Sequence, residues 1–350
     1  MVHYGTGFTG TQALRGIIDH PELELVGLVV HDPAKAGRDA GELCGTGPVG
    51  IAATTDLAGA IAIHADAFCY EASTHGRLKV AIEELCTILR SGKNVSTTSV
   101  GALIHPGSAR PDVLARLNDA CAAGGTSLLS TGIDPGFFSD YLPVVLSGCF
   151  RRIDSIRIYE LVTYAEGGQS DEVAFDVVGF GSPIASVPPL VDPAGLRANW
   201  GGVVTGIAEQ LGIELDEIVV SHELAPAQEA FAYQGRRIEA GTIAGMRFEI
   251  AGRRGGATRV AVEHITRARH DVAPDWPRPL DKDAYRIVID GAPRLECEFA
   301  FESEDGGHLE GGFAITAMRA VNAIPHVCRA APGVVSVYDL PVVTGRGLVR

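Results

Sequence analysis

The chain has 350 residues, a hydrophobic content of 46% and a formal net charge of −14. Since single cores rarely grow beyond about 250–300 residues, this length favours two domains. The acidic balance argues against nucleic acid and anionic membranes as partners, because both are bound by clustered lysine and arginine. No apolar run in the sequence reaches the roughly 18 residues that a membrane-spanning helix needs.

The seven cysteines are scattered along the chain and form no C-x-x-C pair. Their odd number and their spacing argue against a disulfide framework and against structural zinc, so we expect no metal site. Scattered thiols suit a reducing compartment, and no targeting signal precedes the glycine-rich turn at Gly5. We therefore expect a cytoplasmic protein.

The first part of the chain alternates short apolar segments with helical ones. The predicted strands are Met1–Tyr4, Leu23–His31, Ile51–Thr54, Ala67–Ala72, Asn94–Thr98 and Ser127–Ser130. The predicted helices are Phe8–His20, Gly76–Ser91 and Pro111–Gly124. This alternation is typical of an α/β fold, and it predicts a Rossmann domain with a doubly wound parallel sheet over residues 1–135.

The pattern changes near residue 136; after about residue 150 the predicted strands are longer, and several alternate apolar with polar residues. The predicted strands are Ile153–Tyr164, Ile218–Leu224, Ile238–Ala251, Ala257–Arg267, Tyr285–Asp290 and Arg294–Phe301. The predicted helices are Asp171–Val178, Trp200–Leu211 and Gly312–Ala323, the last of which should stop before Pro325. The alternation favours a second, α+β domain built on an antiparallel sheet with one covered face.

Three glycines form a G-x-G-x-x-G motif between the first strand and the first helix. In a dinucleotide site the first makes a tight turn, the second admits the pyrophosphate, and the third lets the helix pack on the strand. The helix N-terminus then offers free N–H groups to the phosphates. We therefore predict that the cofactor contacts Gly5, Thr6, Gly7, Phe8, Thr9 and Gly10.

The end of the second strand carries an acid that bears on cofactor choice. Asp32 follows His31 and lies 22 residues after the last glycine of the motif, near the usual spacing of the acid that binds the adenosine ribose. Alternatively, Asp32 caps a turn at Pro33. Lys35 and Arg38 can attract a 2′-phosphate or remain solvated surface charges. The predicted cofactor is NAD(P)H, with NAD and NADP both open.

Three further loops leave the carboxyl ends of the fourth, fifth and sixth strands. In a doubly wound sheet these ends lie along one edge, where ligands bind. A last candidate is Asn322, which can bind the cofactor carboxamide or cap the helix before Pro325. The predicted cofactor contacts are therefore extended to Ser73, Thr74, Thr97, Thr98, Ser99, Gly132, Asp134, Pro135, Gly136 and Asn322.

Four segments, YGTGFTG, SGKNVSTTS, STGIDPGFFSDYLP and TAMRAVNAIP, resemble the dihydrodipicolinate reductase superfamily. Within it the sequence is most similar to 2,4-diaminopentanoate dehydrogenase and related amine dehydrogenases. The resemblance implies an α+β substrate domain over residues 136–310 that also forms a homodimer, and a segment over 311–350 that returns to the first domain. It also implies an oxidoreductase that moves hydride to or from a small, mostly apolar imine, amine or carbonyl substrate.

The sequence departs from this superfamily in two places. Dihydrodipicolinate reductases carry a histidine-rich loop with a nearby lysine, but Tyr159–Gln169 contains neither residue type. This argues against that particular activity. Amine dehydrogenases of the group carry a glutamate after the fifth strand, whereas Ser99–Leu103 has no carboxylate. On this ground we expect weak amination of simple ketones by free ammonia.

Three residues of the second domain are candidates for proton transfer: Tyr164, Glu160 and His264. Each has an ordinary alternative, since a strand tyrosine can serve packing, Glu160 can be a surface charge, and His264 can be a hydrogen-bonded core residue. No acid–base constellation is evident along the chain. An NAD(P)-binding sensor or scaffold without turnover therefore remains the alternative to an enzyme.

Overall fold

The computed structural model describes residues 1–165, 169–304 and 307–349. The described residues divide into two compact units. Unit 1 comprises Met1–Phe137 with the described residues of Gly312–Arg350, and unit 2 comprises those of Phe138–Gly311. Of the segment Tyr159–Gln169 singled out above, residues 166–168 lie outside the described residues.

Unit 1 contains a parallel sheet and its covering helices. The strands are β1 (Val2–Tyr4), β2 (Gly27–Val29), β3 (Ala53–Thr54), β4 (Ala67–Tyr70), β5 (Asn94–Thr97) and β6 (Ser127–Ser130). The helices between them are α1 (Phe8–Asp19), α2 (Ala40–Cys44), α3 (Leu57–Ala62), α4 (Leu78–Arg90) and α5 (Pro111–Gly124).

Unit 2 holds α6 (Tyr141–Ser147), α7 (Pro193–Gln210) and eight strands within its described residues. The strands are β7 (Arg152–Thr163), β8 (Glu217–Pro226), β9 (Phe231–Tyr233), β10 (Arg236–Ile238), β11 (Ile243–Arg254), β12 (Ala257–Arg267), β13 (Ala284–Ala292) and β14 (Leu295–Phe299). The chain then forms α8 (His308–Val327) and β15 (Gly333–Val335).

The sheet of unit 1, in the described part of the chain, has seven parallel strands in the order β15-β6-β5-β4-β1-β2-β3. The order reverses between β1 and β4, which makes their carboxyl ends the switch point where such sheets bind ligands. Buried apolar residues of α4 and α5 cover one face, and those of α1 and α8 cover the other. The predicted Rossmann fold is confirmed.

Three predictions for unit 1 are corrected. β2 is three residues long rather than Leu23–His31, because it pairs with β1, which is itself only three residues long. The tail contributes β15 as a further strand, paired with β6. Helix α8 continues through Pro325 to Val327. In its last turn a proline removes only one N–H donor, which leaves the rest of the helix intact.

The main sheet of unit 2 has the order β14-β13-β7-β12-β11-β8 among the described residues. It is mixed rather than antiparallel, since β7 and β12 run parallel. The chain between β7 and β12 returns to the end of the sheet at which β7 begins, so the two strands can run parallel. The predicted strand Ile238–Ala251 is divided into β10 and β11 by a turn in which Gly241 has φ +81°.

Two helical predictions in unit 2 are also corrected. Helix α7 begins at Pro193 rather than Trp200, because Asp192 caps it by accepting a hydrogen bond from Gly195 N at 2.8 Å. Asp171–Val178 is a short π-helical turn over Glu172–Val177. Within the described ranges, no helix combines the length and apolar character that crossing a membrane requires.

Candidate active site

The glycine-rich loop between β1 and α1 forms a cradle. Gly5 has φ +111°, and a Cβ atom there would lie 2.6 Å from the carbonyl oxygen of Glu71. A Cβ atom on Gly10 would lie 2.5 Å from the carbonyl oxygen of Gly5. A Cβ atom on Gly7 would meet no atom of the described residues within 4 Å. Packing therefore requires the first and third glycines, while the second leaves open space for a ligand.

The N-terminus of α1 is left available to an anion. Gly7 is the N-cap, no side chain in the described part of the chain caps the helix, and its first turn contains no acidic residue. The first N–H groups of a helix have no intrahelical partner, and the helix dipole favours negative charge there. Together with the space above Gly7, this arrangement fits the pyrophosphate of a dinucleotide.

The β2 edge of the site carries the charges that bear on cofactor choice. The Oδ1 atom of Asp32 accepts a hydrogen bond from Ala34 N at 2.9 Å, so this carboxylate does cap the following turn. The Nζ atom of Lys35 donates to both the carbonyl oxygen and the Oγ1 atom of Thr6, at 3.0 Å each. A lysine ammonium is thus held against the glycine-rich loop.

The sequence did not predict a network of polar side chains that lies next to the β2 edge. The carboxylate of Glu84, on α4, accepts hydrogen bonds from Arg77 at 2.6 Å, Tyr70 at 2.5 Å and Tyr4 at 3.3 Å. The Tyr4 hydroxyl also meets His31 Nε2 at 3.0 Å. Burial, and then Arg77, lower the pKa of His31. The network fixes the imidazole at the end of β2, where the adenosine end of a dinucleotide binds.

A buried carboxyl group lies at the opposite side of the switch point. Glu71, just after β4, is 7% exposed and accepts hydrogen bonds from the backbone N–H of Thr98 at 3.3 Å and from its hydroxyl. The Cys69 thiol donates to the same carboxyl group at 3.6 Å. Burial raises the pKa of Glu71 to about 7, while the bonds from Thr98 and Cys69 act in the opposite direction. An acid within the predicted apolar strand Ala67–Ala72 was the signal that would have found it.

The other predicted polar contacts of the β4 and β5 loops are mostly occupied by the fold. Thr97 Oγ1 donates to the carbonyl oxygen of Tyr70, and Ser99 N donates to Thr97 Oγ1 at 3.0 Å. Thr74 Oγ1 donates to the carbonyl oxygen of Ser99 at 2.8 Å, which ties the two loops together. Ser73 is exposed at the edge. These hydroxyls shape the edge, and Thr98 is the one that meets a carboxyl group.

The loop after β6 is closely folded. Gly136 has φ +130°, and a Cβ atom there would lie 2.1 Å from the backbone nitrogen of Gly132. Asp134 and Pro135 lie half-buried between these two glycines. The structure therefore brings this predicted loop to the same edge of the sheet as the β4 and β5 loops, since β6 pairs with β5.

Two predicted cofactor contacts have other surroundings. The ring of Phe8 is exposed and stacks on Phe313 at a centroid distance of 5.2 Å. Ser96, in the middle of β5, donates a hydrogen bond from its Oγ atom to the carbonyl oxygen of Ala320 on α8 at 2.7 Å. Asn322 lies two residues further along this helix. Because the helix runs away from the carboxyl edge, the structure does not bring Asn322 to the cofactor loops.

In unit 2, one row of side chains crosses the sheet in direct register. His264 on β12 pairs with Phe248 on β11 and Glu160 on β7, and Glu160 pairs with Tyr285 on β13. The His264 ring stacks on Phe248 at 5.0 Å, and Phe138 stacks on Tyr285 at 5.0 Å. Two of the predicted catalytic residues are therefore neighbours, enclosed by aromatic rings.

The Glu160 carboxylate is the centre of this row. Its Oε2 atom contacts His264 Nδ1, and its Oε1 atom accepts a hydrogen bond from the Tyr285 hydroxyl at 2.6 Å. The other ring nitrogen of His264 meets Thr266 Oγ1 at 2.6 Å. The Glu160 side chain is 18% exposed and that of His264 10%. His264 and Tyr285 thus orient the carboxylate, which is more accessible than His264, as a group that handles a proton requires.

The third predicted catalytic residue, Tyr164, belongs to an aromatic cluster. It is buried, its ring meets Phe180 edge-on at 6.2 Å, and its hydroxyl accepts a bond from Gln169 at 3.4 Å. Burial raises its pKa, and the charge of Glu160 acts in the same direction. These surroundings favour the packing role over proton transfer for this tyrosine.

The glycine cradle, the open helix terminus and the switch-point loops of unit 1 have a geometry that fits a dinucleotide, the kind of ligand that binds to nicotinamide-dependent oxidoreductases, the class that the sequence predicted. Comparison with known proteins narrows this class. The chain is 36% identical over 345 residues to an amine dehydrogenase of Streptomyces virginiae, covering 97% of this chain and 96% of that protein. The chain therefore belongs to the amine dehydrogenase family, which confirms the resemblance.

Two further comparisons agree with this. A 2,4-diaminopentanoate dehydrogenase of Acetoanaerobium sticklandii is 22% identical over 326 residues, 91% of this chain and 84% of that protein. Residues 194–347 match the profile of the 2,4-diaminopentanoate dehydrogenase C-terminal domain. The structure of an amine dehydrogenase from Mycobacterium smegmatis has the same fold, with a TM-score of 0.77 at 23% identity, covering 98% of this chain and 96% of that one.

Proposed function

We propose that the protein is an NAD(P)-dependent amine dehydrogenase, which oxidises a primary amine to an imine and, after hydrolysis, to a carbonyl compound and ammonia, and which also catalyses the reverse amination. Family membership supports the amine substrate. The observation that carries the catalytic assignment is the Glu160 carboxylate, held between His264 and Tyr285. Family membership also favours turnover over a non-catalytic sensor.

The chemistry asks two things of the protein. An alkylammonium ion must lose a proton before its carbon can give up hydride, and a positioned carboxylate is a suitable acceptor. Bound nicotinamide supplies the hydride acceptor. We propose that Glu160 binds the ammonium group and takes its proton, while His264 and Tyr285 position the carboxylate.

The aromatic groups beside Glu160 support an apolar substrate. Trp200 packs on Phe248 at 5.0 Å, and Phe138 lies 5.1 Å from Phe299. Apolar surroundings favour hydrocarbon substituents and strengthen the attraction between a carboxylate and an ammonium ion. The sequence stretch Ser99–Leu103 has no carboxylate and by itself predicts weak amination by ammonia. Glu160 is the substitute base that we propose, so amination by ammonia becomes an expected activity.

Cofactor choice rests on the β2 edge. Asp32 is exposed, and one of its oxygens already caps the turn. Lys35 offers a cation beside Thr6. Because the acid disfavours a 2′-phosphate and the lysine favours it, we propose that the protein uses both NAD and NADP.

We also propose a homodimer formed through unit 2. The sheet face opposite Glu160 carries a ladder of ion pairs. Arg157 contacts Glu249 and, at 3.2 Å, Glu263, while Arg247 meets Glu263 at 2.8 Å. Glu263 is already 1% exposed in the single chain. Because these charges neutralise each other, a second copy can cover the face without burying unpaired charge. Closed two-fold pairs are the commonest oligomers.

Sedimentation tests the dimer, for which we expect twice the monomer mass. Tyr159 pairs in register with Glu263 and so lies on the ladder face, and Tyr159→Arg, which adds a positive charge to the balanced ladder, should yield monomers. A concentration-independent monomer in the unmodified protein would exclude the proposal.

For location we propose the cytoplasm, because all seven cysteines are free thiols and four of them are buried. Cell fractionation tests this, and recovery outside the cytoplasm would contradict it.

The proposed activity is tested by steady-state turnover. The purified protein is given NAD+ or NADP+ with a panel of apolar primary amines, and the reduced cofactor and released ammonium are quantified. We expect equal amounts of both products. Tight cofactor binding with no turnover of any amine, ketone or imine would favour the sensor instead.

A further inference from the structure

The carboxyl group of Glu71 has no part in the proposed proton transfer at Glu160, yet it lies at the cofactor edge. The loop that carries it packs against the glycine cradle, since a Cβ atom on Gly10 would lie 3.3 Å from Glu71 Cβ. On its other side, the Thr98 hydroxyl binds it at the end of β5. The carboxyl group therefore lies between the pyrophosphate cradle and the loop of the next strand.

Glu71 lies on the β4 side of the switch point between β1 and β4. The order β5-β4-β1-β2 places β2 on one side of the cradle and β4 and β5 on the other. A dinucleotide laid across the switch point with its adenosine at β2 has its nicotinamide half at β4 and β5. Glu71 and Thr98 belong to that half.

We propose that Glu71, with the Thr98 hydroxyl as its partner, faces the nicotinamide end of the cofactor and favours the oxidised form over the reduced form. The oxidised nicotinamide ring carries a positive charge, and the reduced ring is neutral. A buried carboxylate attracts the first and not the second, and this attraction is strong in surroundings of low dielectric. Glu71 is thus a positioning and specificity-determining residue, which biases the protein toward binding NAD(P)+.

The groups around Glu71 allow this charge to be switched by pH. Burial raises the pKa of Glu71 to about 7. Cys69, on β4 two residues before Glu71, has its pKa raised well above its usual value by burial, so its thiol is neutral at pH 7. On β1, burial lowers the pKa of His3 to about 4, so its imidazole is neutral as well. Thr98 and Gly10 bring no charge, and Ala317 and Val321 of α8, which belong to the same buried cluster as Cys69, are apolar. The titration of Glu71 therefore decides the local charge.

The charge of Glu71 sets the direction in which the relative affinity for the two cofactor forms changes with pH. Below pH 7 Glu71 is mostly protonated and neutral, and above it the carboxylate forms. The affinity for NAD(P)+ relative to NAD(P)H should therefore rise as the pH increases through about 7. We expect a change in the ratio of the two dissociation constants of about tenfold, equivalent to ~1.4 kcal/mol. With Glu71→Gln, which keeps the shape and removes the charge, the ratio should not change with pH and should stay at the low-pH value.

The experiment measures equilibrium binding of oxidised and reduced cofactor to the full-length protein, by calorimetry and fluorescence, at pH values on both sides of 7. The control is Glu83→Gln, which changes an exposed carboxylate of α4 and should keep the pH dependence of the unmodified protein. A pH-independent ratio in the unmodified protein overturns the proposal. So does a Glu71→Gln ratio that follows the unmodified curve. If the Glu71→Gln variant does not fold, the unmodified protein alone still decides.

This inference rests on the nicotinamide cofactor of the proposed function but not on its amine substrate. No amine is present in the binding experiment. Failure to oxidise amines, with the expected binding ratios intact, would remove the proposed reaction and leave the role of Glu71. Amine turnover with a pH-independent ratio of the dissociation constants would support the proposed reaction and remove the role of Glu71.

Discussion

Glu160 and His264 occupy directly paired positions on the parallel strands β7 and β12, and the Glu160 carboxylate contacts the Nδ1 atom of His264. Parallel pairing projects the two side chains from the same face of the sheet. The pair is held on rigid strands rather than on loops, which is how a catalytic group keeps its geometry.

The first prediction concerns this pair. Glu160→Gln should lower kcat/KM for amine oxidation by about a hundredfold, equivalent to ~2.7 kcal/mol, because the amide cannot accept the proton. Cofactor affinity should not change. Tyr285→Phe removes one of the bonds that orient the Glu160 carboxylate and should cost about tenfold in kcat/KM. The control Glu214→Gln alters an exposed carboxylate and should leave turnover unchanged. A Glu160→Gln variant of normal kcat/KM would remove Glu160 from the mechanism.

A second prediction concerns the glycine cradle. Gly7→Asp should leave the fold intact, because a Cβ atom at this position has free space, but should weaken NAD(P)H binding by more than about a hundredfold, since a carboxylate would then repel the phosphates. Fluorescence titration measures the affinity, and circular dichroism checks the fold. Gly7→Ala serves as the matched variant with a small effect. Unchanged affinity in the aspartate variant would exclude this loop as the binding site.

Cofactor choice gives a third prediction. Lys35→Met removes the cation beside Thr6 and should weaken NADPH binding by about tenfold while affecting NADH much less, because only NADPH carries the 2′-phosphate. The same titration measures both constants. The unmodified protein should bind the two cofactors within about a hundredfold of each other. Equal losses for both would mean that Lys35 acts only by holding the loop.

The fourth prediction concerns stability in acid. His3 is fully buried, and burial lowers its pKa to about 4, below the ordinary value of 6.5. The unfolded chain therefore takes up this proton more readily, and stability is lost as the pH falls from about 6.5 to 4. The loss from this group is at most roughly 3–4 kcal/mol. In urea unfolding, His3→Gln should gain stability relative to the unmodified protein over this range. A difference between the two that does not change with pH would contradict the prediction.

Much of unit 1 follows from sequence because its determinants are local. The glycine motif lies within six residues, Gly5–Gly10, and buried parallel strands appear as apolar runs. The extent of β2 could not be read in this way, since it depends on the length of its partner β1. The continuation of α8 through Pro325 likewise depends on where along the helix the proline falls.

The site was partly predictable for the same reason. Glu160 and His264 are recognisable as candidates by residue type, but their contact depends on the register between strands more than a hundred residues apart in sequence. Tyr285 joins them through β13, and no spacing in the sequence indicates this. Glu71 lay within a segment assigned to a buried strand, and only the fold reveals that Thr98 comes to meet it.

The most direct test of the central claim follows hydride from an amine to the cofactor. An apolar primary amine carrying deuterium on the carbon that bears nitrogen is incubated with the protein and NAD+ or NADP+. Mass spectrometry then locates the label. We predict one deuterium in each reduced cofactor formed, with a carbonyl compound and ammonium released in equal amounts. Reduced cofactor without deuterium, or turnover confined to alcohols, would show that this protein does not oxidise amines.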